Sequence, residues 1–426
     1  MILIYRIITT ILYPFLFILL YFRILLKKED PKRFKEKLLI SKFNVKKKNK
    51  AELIWFHASS IGEFKSIIPI IKHLNIKNKN LKFLITTTTL SSGNLAKIIL
   101  KQFNNVEHRY FPFDIDFLIE KFLYLWRPDR IFLVDSEVWP NLIFKAKKMK
   151  IPIALINARL TIKSFKRWMM FPEVAKKIFG NFNLCLCANE KTKNYLKKLK
   201  VKNVYFCGNI KLISQINERE IKNINESLLV KKKFWFAAST HDGEDIFCLK
   251  THLEIKRKFN NVITIIAPRH IDRSVKIKSL SEKLNLKSQI LNKGDFITKD
   301  KEIIIVNFFD ALLDFYKYTK SVFIGKSINK KLKNVGGQNP IEAAKLKCKI
   351  YHGPYVENFE EIYGILNKNN ISKEIKNYQE LSRNIISDLA RHDKKDYNSD
   401  TINKLGQKTL INTMKLVNNF LHYDNK

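Results

Sequence analysis

Cysteine and acidic residues are both scarce in this sequence of 426 residues. The five cysteines, Cys185, Cys187, Cys207, Cys248 and Cys348, are odd in number and mostly lie in apolar runs. That argues against a secreted disulfide framework and for a reducing compartment. Cys185 and Cys187 alternate with leucines as strand residues do, so they read as core rather than as metal ligands. The usual cofactor signatures are missing too. No G-x-G-x-x-G follows a strand, and no H-E-x-x-H occurs. Gly325-Lys326-Ser327 ends like a phosphate-binding loop, but Lys320 stands where its first glycine belongs. The nine histidines are scattered without ligand spacing. Neither a metal nor a dinucleotide cofactor is expected. There is no internal repeat shorter than half the chain.

Acids are outnumbered, 39 Asp and Glu against 79 Lys and Arg, which leaves a formal charge of +40. Hydrophobic residues make up 46% of the chain, too many for a polybasic disordered protein. At roughly 100–200 residues per domain the length predicts two or three folded domains. The charge points to polyanionic partners: nucleic acid, an anionic membrane surface or phosphorylated substrates. Lys, Ile and Asn are over-used along the whole length, so part of the charge is ordinary solvated surface. A membrane-tethered nucleic-acid-binding protein is the reading of a different class. It would call for arginines and aromatics interleaved on one element, and none is found, so no nucleic-acid partner is expected.

Residues 1–26 carry two charges, Arg6 and Arg23, and the run between them is almost wholly apolar. It is shorter than the ~20 residues of a spanning helix and holds Pro14 in its middle, so spanning and embedding both stay open. No small-x-small cleavage site comes after it, which argues against a removed signal. The next segment, 27–50, has eleven Lys/Arg against three acids, a surplus of eight. Such a flank holds itself and the downstream chain in the cytoplasm. Each lysine at an anionic leaflet is worth ~1 kcal/mol. A membrane anchor over 1–26 and a basic juxtamembrane segment over 27–50 are expected.

Beyond residue 51, short apolar runs alternate with stretches of helical period. Strands are predicted over 53–58, 82–88, 109–113, 130–135, 153–158, 184–189 and 204–208, then over 234–239, 262–267, 303–307, 321–325 and 349–353. This predicts two Rossmann-like α/β domains, over 51–213 and 234–426, joined by a polar linker over 214–233. Ligands of such sheets bind at the carboxyl ends of the strands, here toward a cleft between the domains.

The informative residues stand at those ends. After the first strand comes His57-Ala-Ser-Ser-Ile-Gly-Glu63. Ser60-x-x-Glu63 fits a capping box, and a carboxylate at a strand end is also a candidate general base. The fourth strand ends in Asp135-Ser-Glu137-Val-Trp139-Pro140-Asn141, where two acids and a tryptophan are hard to explain by packing alone. Lys211 comes after Gly208-Asn-Ile. In the second domain, Ser239 and Thr240 lead a helix start suited to phosphate oxygens. Pro268-Arg269 supplies a fixed cation. Gly336-Gly337-Gln338-Asn339-Pro340-Ile341-Glu342 opens a later helix, with Asn339 as N-cap and Pro340 at the first helical position. Capping leaves the paired glycines unexplained, and they read as a loop whose N–H groups approach an anion.

Taken in order, these runs, with Thr86-Thr-Thr-Thr89 and Asn157-Ala-Arg159, resemble the motifs of the 3-deoxy-D-manno-octulosonic acid (Kdo) transferase family. The resemblance covers nearly the whole chain. It implies a GT-B fold of two Rossmann-like domains, and transfer of Kdo from CMP-Kdo to the lipid A precursor, lipid IVA, at the cytoplasmic face of an inner membrane. It implies Glu63 as general base and Glu137 and Lys211 as transition-state stabilisers. It implies CMP binding for Pro268, Arg269, Phe309, Asp310, Ala311, Asn339, Pro340, Ile341 and Glu342, and Ser239, Thr240, Gly336 and Gly337 are expected on the same donor side from the phosphate and anion readings above. The departing phosphate needs positive compensation, expected from Arg269 and the helix start near Asn339. Three departures stand out: Gln338 in place of the family's usual His, Asp310-Ala311 in place of Gly-Glu, and Asp135-Ser136 in place of Glu-Thr. A GT-B transferase using another nucleotide sugar is the neighbouring alternative.

Overall fold

The structure, a computed structural model, describes residues 2–38, 51–214, 216–391 and 400–422. It divides into two compact units, one of Met1–Ser214 with Leu405–Lys426 and the other of Gln215–Lys404. In the first unit the strands are β1 (Leu53–His57), β2 (Lys82–Thr87), β3 (Val106–Tyr110), β4 (Arg130–Val134), β5 (Ile153–Ala158), β6 (Leu184–Cys187) and β7 (Val204–Phe206). They form a parallel sheet in the order β3-β2-β1-β4-β5-β6-β7. In the second the strands are β8 (Phe234–Thr240), β9 (Ile263–Pro268), β10 (Ser288–Leu291), β11 (Ile303–Val306), β12 (Ser321–Ile324), β13 (Lys349–His352) and β14 (Ser372–Glu374). Their order is β10-β11-β9-β8-β12-β13-β14, again parallel. These are two Rossmann-like sheets of the kind a GT-B enzyme carries.

Strands buried on both faces read as unbroken apolar runs, which is why most were legible. In β1 all five residues are buried. Their side chains divide by the period of two: Leu53 and Trp55 join Ile131, Leu133, Ile153 and Leu155 in one cluster. Ile54 and Phe56 join Phe132, Val134, Ala154 and Ile156 in the other. Helices Asp116–Trp126 and Pro140–Lys148 cover the first face, and helix Ile61–Lys77 the second.

The differences from expectation fall at edges. β3 runs three residues earlier than predicted and buries only Tyr110. The apolar Phe111-Pro-Phe113 that drew the prediction lies just past the strand, and Phe111 packs into the core as it leaves. β10 and β14, short edge strands with few apolar residues, had no signal to find. The C-terminal helix corrects the domain boundary. Placed by sequence in the second domain, helix Asp400–Leu421 sends Met414, Val417 and Phe420 into the second face of the first sheet. Arg130 donates to the carbonyls of Phe420 and Leu421 at 3.3 and 3.1 Å. The helix crosses because that sheet face has apolar surface left to bury.

At the N-terminus, helices Ile2–Ile11 and Tyr13–Leu25 meet at a bend of 55°. Pro14, in the first turn of the second helix, lacks the N–H that would continue the first, so the break at Leu12 is expected. No single helix among the described residues is long and apolar enough to cross a membrane; the bent pair passes together by length and composition. Leu3, Ile4, Ile7, Ile8 and Ile11 are all about half or more exposed. Of the basic segment, 39–50 lies outside the described residues. In the rest, Lys37 is buried and donates to both oxygens of Glu29 at 2.8 Å, and Arg33 pairs with Glu36 at 2.6 Å. These two cations serve the fold rather than a membrane surface, because desolvated charges need partners.

Candidate active site

In the first sheet the chain turns one way after β1 and the other way after β4, so the crevice lies at the ends of those neighbouring strands. Glu63 sits in the first turn of helix Ile61–Lys77. Ser60 is the N-cap, its hydroxyl facing the Glu63 N–H, and Glu63 Oε2 accepts the Ser59 N–H at 2.7 Å while Oε1 accepts the Ser60 hydroxyl at 2.8 Å. Ser60 caps the helix and the Glu63 carboxylate reaches back past it to Ser59, a variant of the predicted capping box that fixes a carboxylate at the strand end. Burial, with Asp135 and Glu137 nearby, pushes the Glu63 carboxyl above its usual 4.5, against the opposing pull of Ser60 and Lys211.

Glu137 accepts the indole N–H of Trp139 at 2.7 Å and lies 3.3 Å from His57 Nε2. His57 is fully buried, stacked on Phe111, with Nδ1 2.9 Å from the Thr86 hydroxyl. Lys211 donates to Asp135 at 2.6 Å, and its chain passes 3.9 Å from where a side chain on Gly62 would begin. The structure thus gathers Glu63, Glu137 and Lys211, and with them Asp135, which the sequence marked as hard to explain by packing without giving it a specific role, and His57, which it quoted only within its motif. Asp135 adopts φ +61°, a left-handed conformation that aspartate tolerates better than most residues. Its carboxylate also accepts from Asn157, and Asn157 in turn accepts the Ile210 N–H at 2.9 Å, which seats the Lys211 turn. A lone asparagine in the apolar run of β5 was the signal available for this. Arg159 is half-buried beside Asp135, and desolvation lowers its basicity.

In the second sheet the corresponding reversal lies between β8 and β12. Ser239 is left-handed at φ +56°, inside an irregularity of the β8–β9 pairing that sets Thr240 opposite Pro268. Arg269 donates its N–H to the Thr240 carbonyl at 3.0 Å, and its own side chain is exposed. Thr240 is fully buried and its hydroxyl donates to Asp245 at 2.8 Å. That hydroxyl is committed to the fold and not offered to a phosphate. Asp245 is itself paired with Arg273.

The paired glycines have a packing explanation. A side chain at Gly336 would collide with the Tyr355 carbonyl; at Gly337, φ +88°, it would lie 2.9 Å from Val356 Cα. The Gly337 N–H donates to the Lys326 carbonyl at 2.6 Å. This replaces the anion-loop reading for that N–H. Gln338 meets His241 at 3.1 Å, drawing this loop to the turn after β8. The helix starts at Ile341, one residue later than predicted, and Asn339 Oδ1 accepts the Ile341 N–H at 3.1 Å. Pro340 and Ile341 are buried, and Glu342 is half-buried. Phe309, Asp310 and Ala311 come after β11, the strand beyond β9; Phe309 is exposed and Ala311 buried.

Sequence reasoning missed Glu244. It is fully buried, and its carboxylate accepts four backbone N–H groups, from His241 at 2.8 Å, Lys326 at 2.6 Å, Ser327 at 2.8 Å and Ile328 at 3.1 Å. It ties the turn after β8 to the turn after β12. Among the described residues no cluster of three or more His, Cys, Asp or Glu is arranged to hold a metal ion.

The family model for 3-deoxy-D-manno-octulosonic-acid transferase (kdotransferase) matches residues 32–214. A probable mitochondrial 3-deoxy-D-manno-octulosonic acid transferase of Arabidopsis thaliana is 30% identical over 73% of this chain and 70% of its own length. The 3-deoxy-D-manno-octulosonic acid transferase of Rickettsia bellii is 28% identical over 90% of this chain and 94% of its own. Among solved structures, a putative UDP-N-acetylglucosamine 2-epimerase from Listeria monocytogenes superposes with a TM-score of 0.61, covering 88% of this chain and 98% of its own at 12% identity. That likeness concerns the fold alone.

Proposed function

The chain belongs to the 3-deoxy-D-manno-octulosonic-acid transferase family of glycosyltransferases, and from that premise we propose that it transfers Kdo from CMP-Kdo to lipid IVA. Glu63 is the base in this reading. As the acceptor hydroxyl oxygen attacks the anomeric carbon, its proton passes to Glu63, the bond from that carbon to the phosphate oxygen breaks, and CMP leaves with the electron pair. A base must be ionised yet basic, and a carboxylate held by two hydrogen bonds while its pKa is raised by burial and neighbouring acids meets both needs. That carboxylate is the observation that carries the proposal. Glu137 and Lys211 stabilise the positive anomeric carbon and the charges around it.

On the donor side, Arg269 and the turn before helix Ile341–Lys345 face the CMP phosphate, and Glu342 meets the ribose. Ser239, Pro268 and the 309–311 turn complete that side, and Thr240 shapes it through its backbone. The exposed apolar face of the N-terminal helix pair, with the charge surplus of residues 27–50, supports attachment at the cytoplasmic side of an anionic inner membrane. Purified protein should move labelled Kdo from CMP-Kdo onto lipid IVA, with inhibition by CMP and not by UDP. Inhibition by UDP alone would favour a different nucleotide sugar.

A further inference from the structure

Helix Pro140–Lys148 begins directly after Glu137 and Trp139, yet it has no cap of its own: Trp139 occupies the N-cap without a side-chain bond to the helix. Its first-turn N–H groups are satisfied from elsewhere. Asp114, 6% exposed, accepts the Asn141 N–H at 3.0 Å on Oδ2 and the Leu142 N–H at 2.9 Å on Oδ1. The Asn141 side-chain amide donates to the Asp114 carbonyl at 2.6 Å. A third donor to the Asp114 carboxylate is the Tyr5 hydroxyl at 2.9 Å, and Tyr5 lies on the apolar helix Ile2–Ile11. The next residue repeats the arrangement. Arg6 pairs with Asp116 at 3.1 Å, and Asp116 pairs at 2.9 Å with Lys145 of helix Pro140–Lys148.

Two adjacent residues of the N-terminal helix thus reach, through Asp114 of the preceding loop and Asp116 at the start of helix Asp116–Trp126, the helix that launches from the Glu137 turn. We propose that Asp114 is a positioning residue for Glu137, and that Tyr5 completes the clasp, so that seating of the N-terminal helix holds the Glu137–Trp139 turn in its working geometry. This rests on the reading of Glu137 given above. The N-terminal helix is then part of the catalytic scaffold as well as an attachment device. The chain from Tyr5 to Glu137 is continuous: hydroxyl, carboxylate, helix N–H groups, then Trp139, whose indole holds Glu137.

The test uses the full chain, CMP-Kdo and lipid IVA, with two readouts: steady-state kinetics, and hydrogen exchange of the peptide containing Asn141 and Leu142. Tyr5→Phe deletes one hydroxyl and nothing else. It should lower kcat roughly three- to tenfold, leave both KM values within about twofold, and speed exchange at Asn141 and Leu142. Asp114→Asn should do the same more strongly, and adding Tyr5→Phe to it should cost little further, because the two act through one bond. Glu137→Gln should lose activity with exchange at Asn141 and Leu142 unchanged. Unchanged kcat and exchange in Tyr5→Phe, a rise in KM alone, or additive losses in the double variant would overturn the clasp while leaving the reading of Glu137 standing. Full activity in Glu137→Gln would instead overturn that reading and the purpose of the clasp with it.

Discussion

Replacing Glu63 separates its capping role from the proton transfer proposed for it, since the two respond differently to two substitutions. Alanine removes both side-chain bonds, the 2.7 Å one from the Ser59 N–H and the 2.8 Å one from the Ser60 hydroxyl. For a half-buried cap that is a stability loss of about 1–2 kcal/mol. Glutamine keeps a carbonyl oxygen for the Ser59 N–H and turns its amide toward Ser60 Oγ. Its stability should lie within about 1 kcal/mol of the parent. Neither variant can accept the acceptor's proton at neutral pH, and a lost general base costs about 10²–10⁴ in rate, or roughly 3–5 kcal/mol of barrier. Ser60→Ala reverses the pattern, losing about 1 kcal/mol of stability with a rate change of a few-fold. Urea unfolding reads the first quantity, and kcat/KM for Kdo transfer the second. If Glu63→Gln keeps activity within about threefold of the parent, Glu63 is a cap alone and the assignment of the base is wrong. The pH profile adds a check. With its pKa raised above 4.5, Glu63 stays protonated to higher pH, so kcat/KM should climb through an acid limb displaced upward from the ordinary carboxylate range. Lys211→Met removes the cation that opposes that shift and should move the limb further up while lowering kcat.

The second sheet and the sheet edge of the first supply further tests. Glu244→Gln leaves part of the four-donor set facing an amide NH2, and at about 1–3 kcal/mol for each orphaned buried N–H it should lose roughly 3 kcal/mol or more, read by chemical unfolding. An unchanged unfolding midpoint would mean that the turns after β8 and β12 do not depend on this carboxylate. Gly337→Ala places a side chain 2.9 Å from Val356 Cα at φ +88° and should lose roughly 2–4 kcal/mol; full stability would refute the packing account of the paired glycines. His108 is held neutral, its pKa pulled down to about 3 by burial and by Arg33, Arg109 and Lys97. The unfolded chain binds that proton near 6.5, so this stabilisation is present above 6.5 and is lost as pH falls toward 3, by at most ~5 kcal/mol. His108→Gln should flatten that slope in acid unfolding, and an unchanged slope would place the sensitivity elsewhere.

Much of the architecture was legible because a doubly covered parallel sheet writes itself as apolar runs separated by helical periods. β1, β4, β5, β8 and β12 are buried almost throughout, and each was readable within a residue or two. β10 and β14 were not, because an edge strand buries little and carries no such run. In the candidate site, Glu63, Glu137 and Lys211 were named from strand-end position and motif. The pairing among them was not, although Asp135, Asn157 and His57 stand in the same motifs, because these residues act through contacts between segments 20 to 80 residues apart.

By itself the sequence determined the class of fold, the strand-end positions of the site and the family, since these arise from local periodicity and from residue types in fixed order. Only the tertiary structure decided which polar groups are already spent. Thr240 and the Gly337 N–H are bound within the fold, Arg33 and Lys37 hold acids of their own segment, and the C-terminal helix completes the first sheet. A buried donor or charge must find a partner, and the partner is chosen by what the folded chain brings near it, a distance that sequence order does not encode.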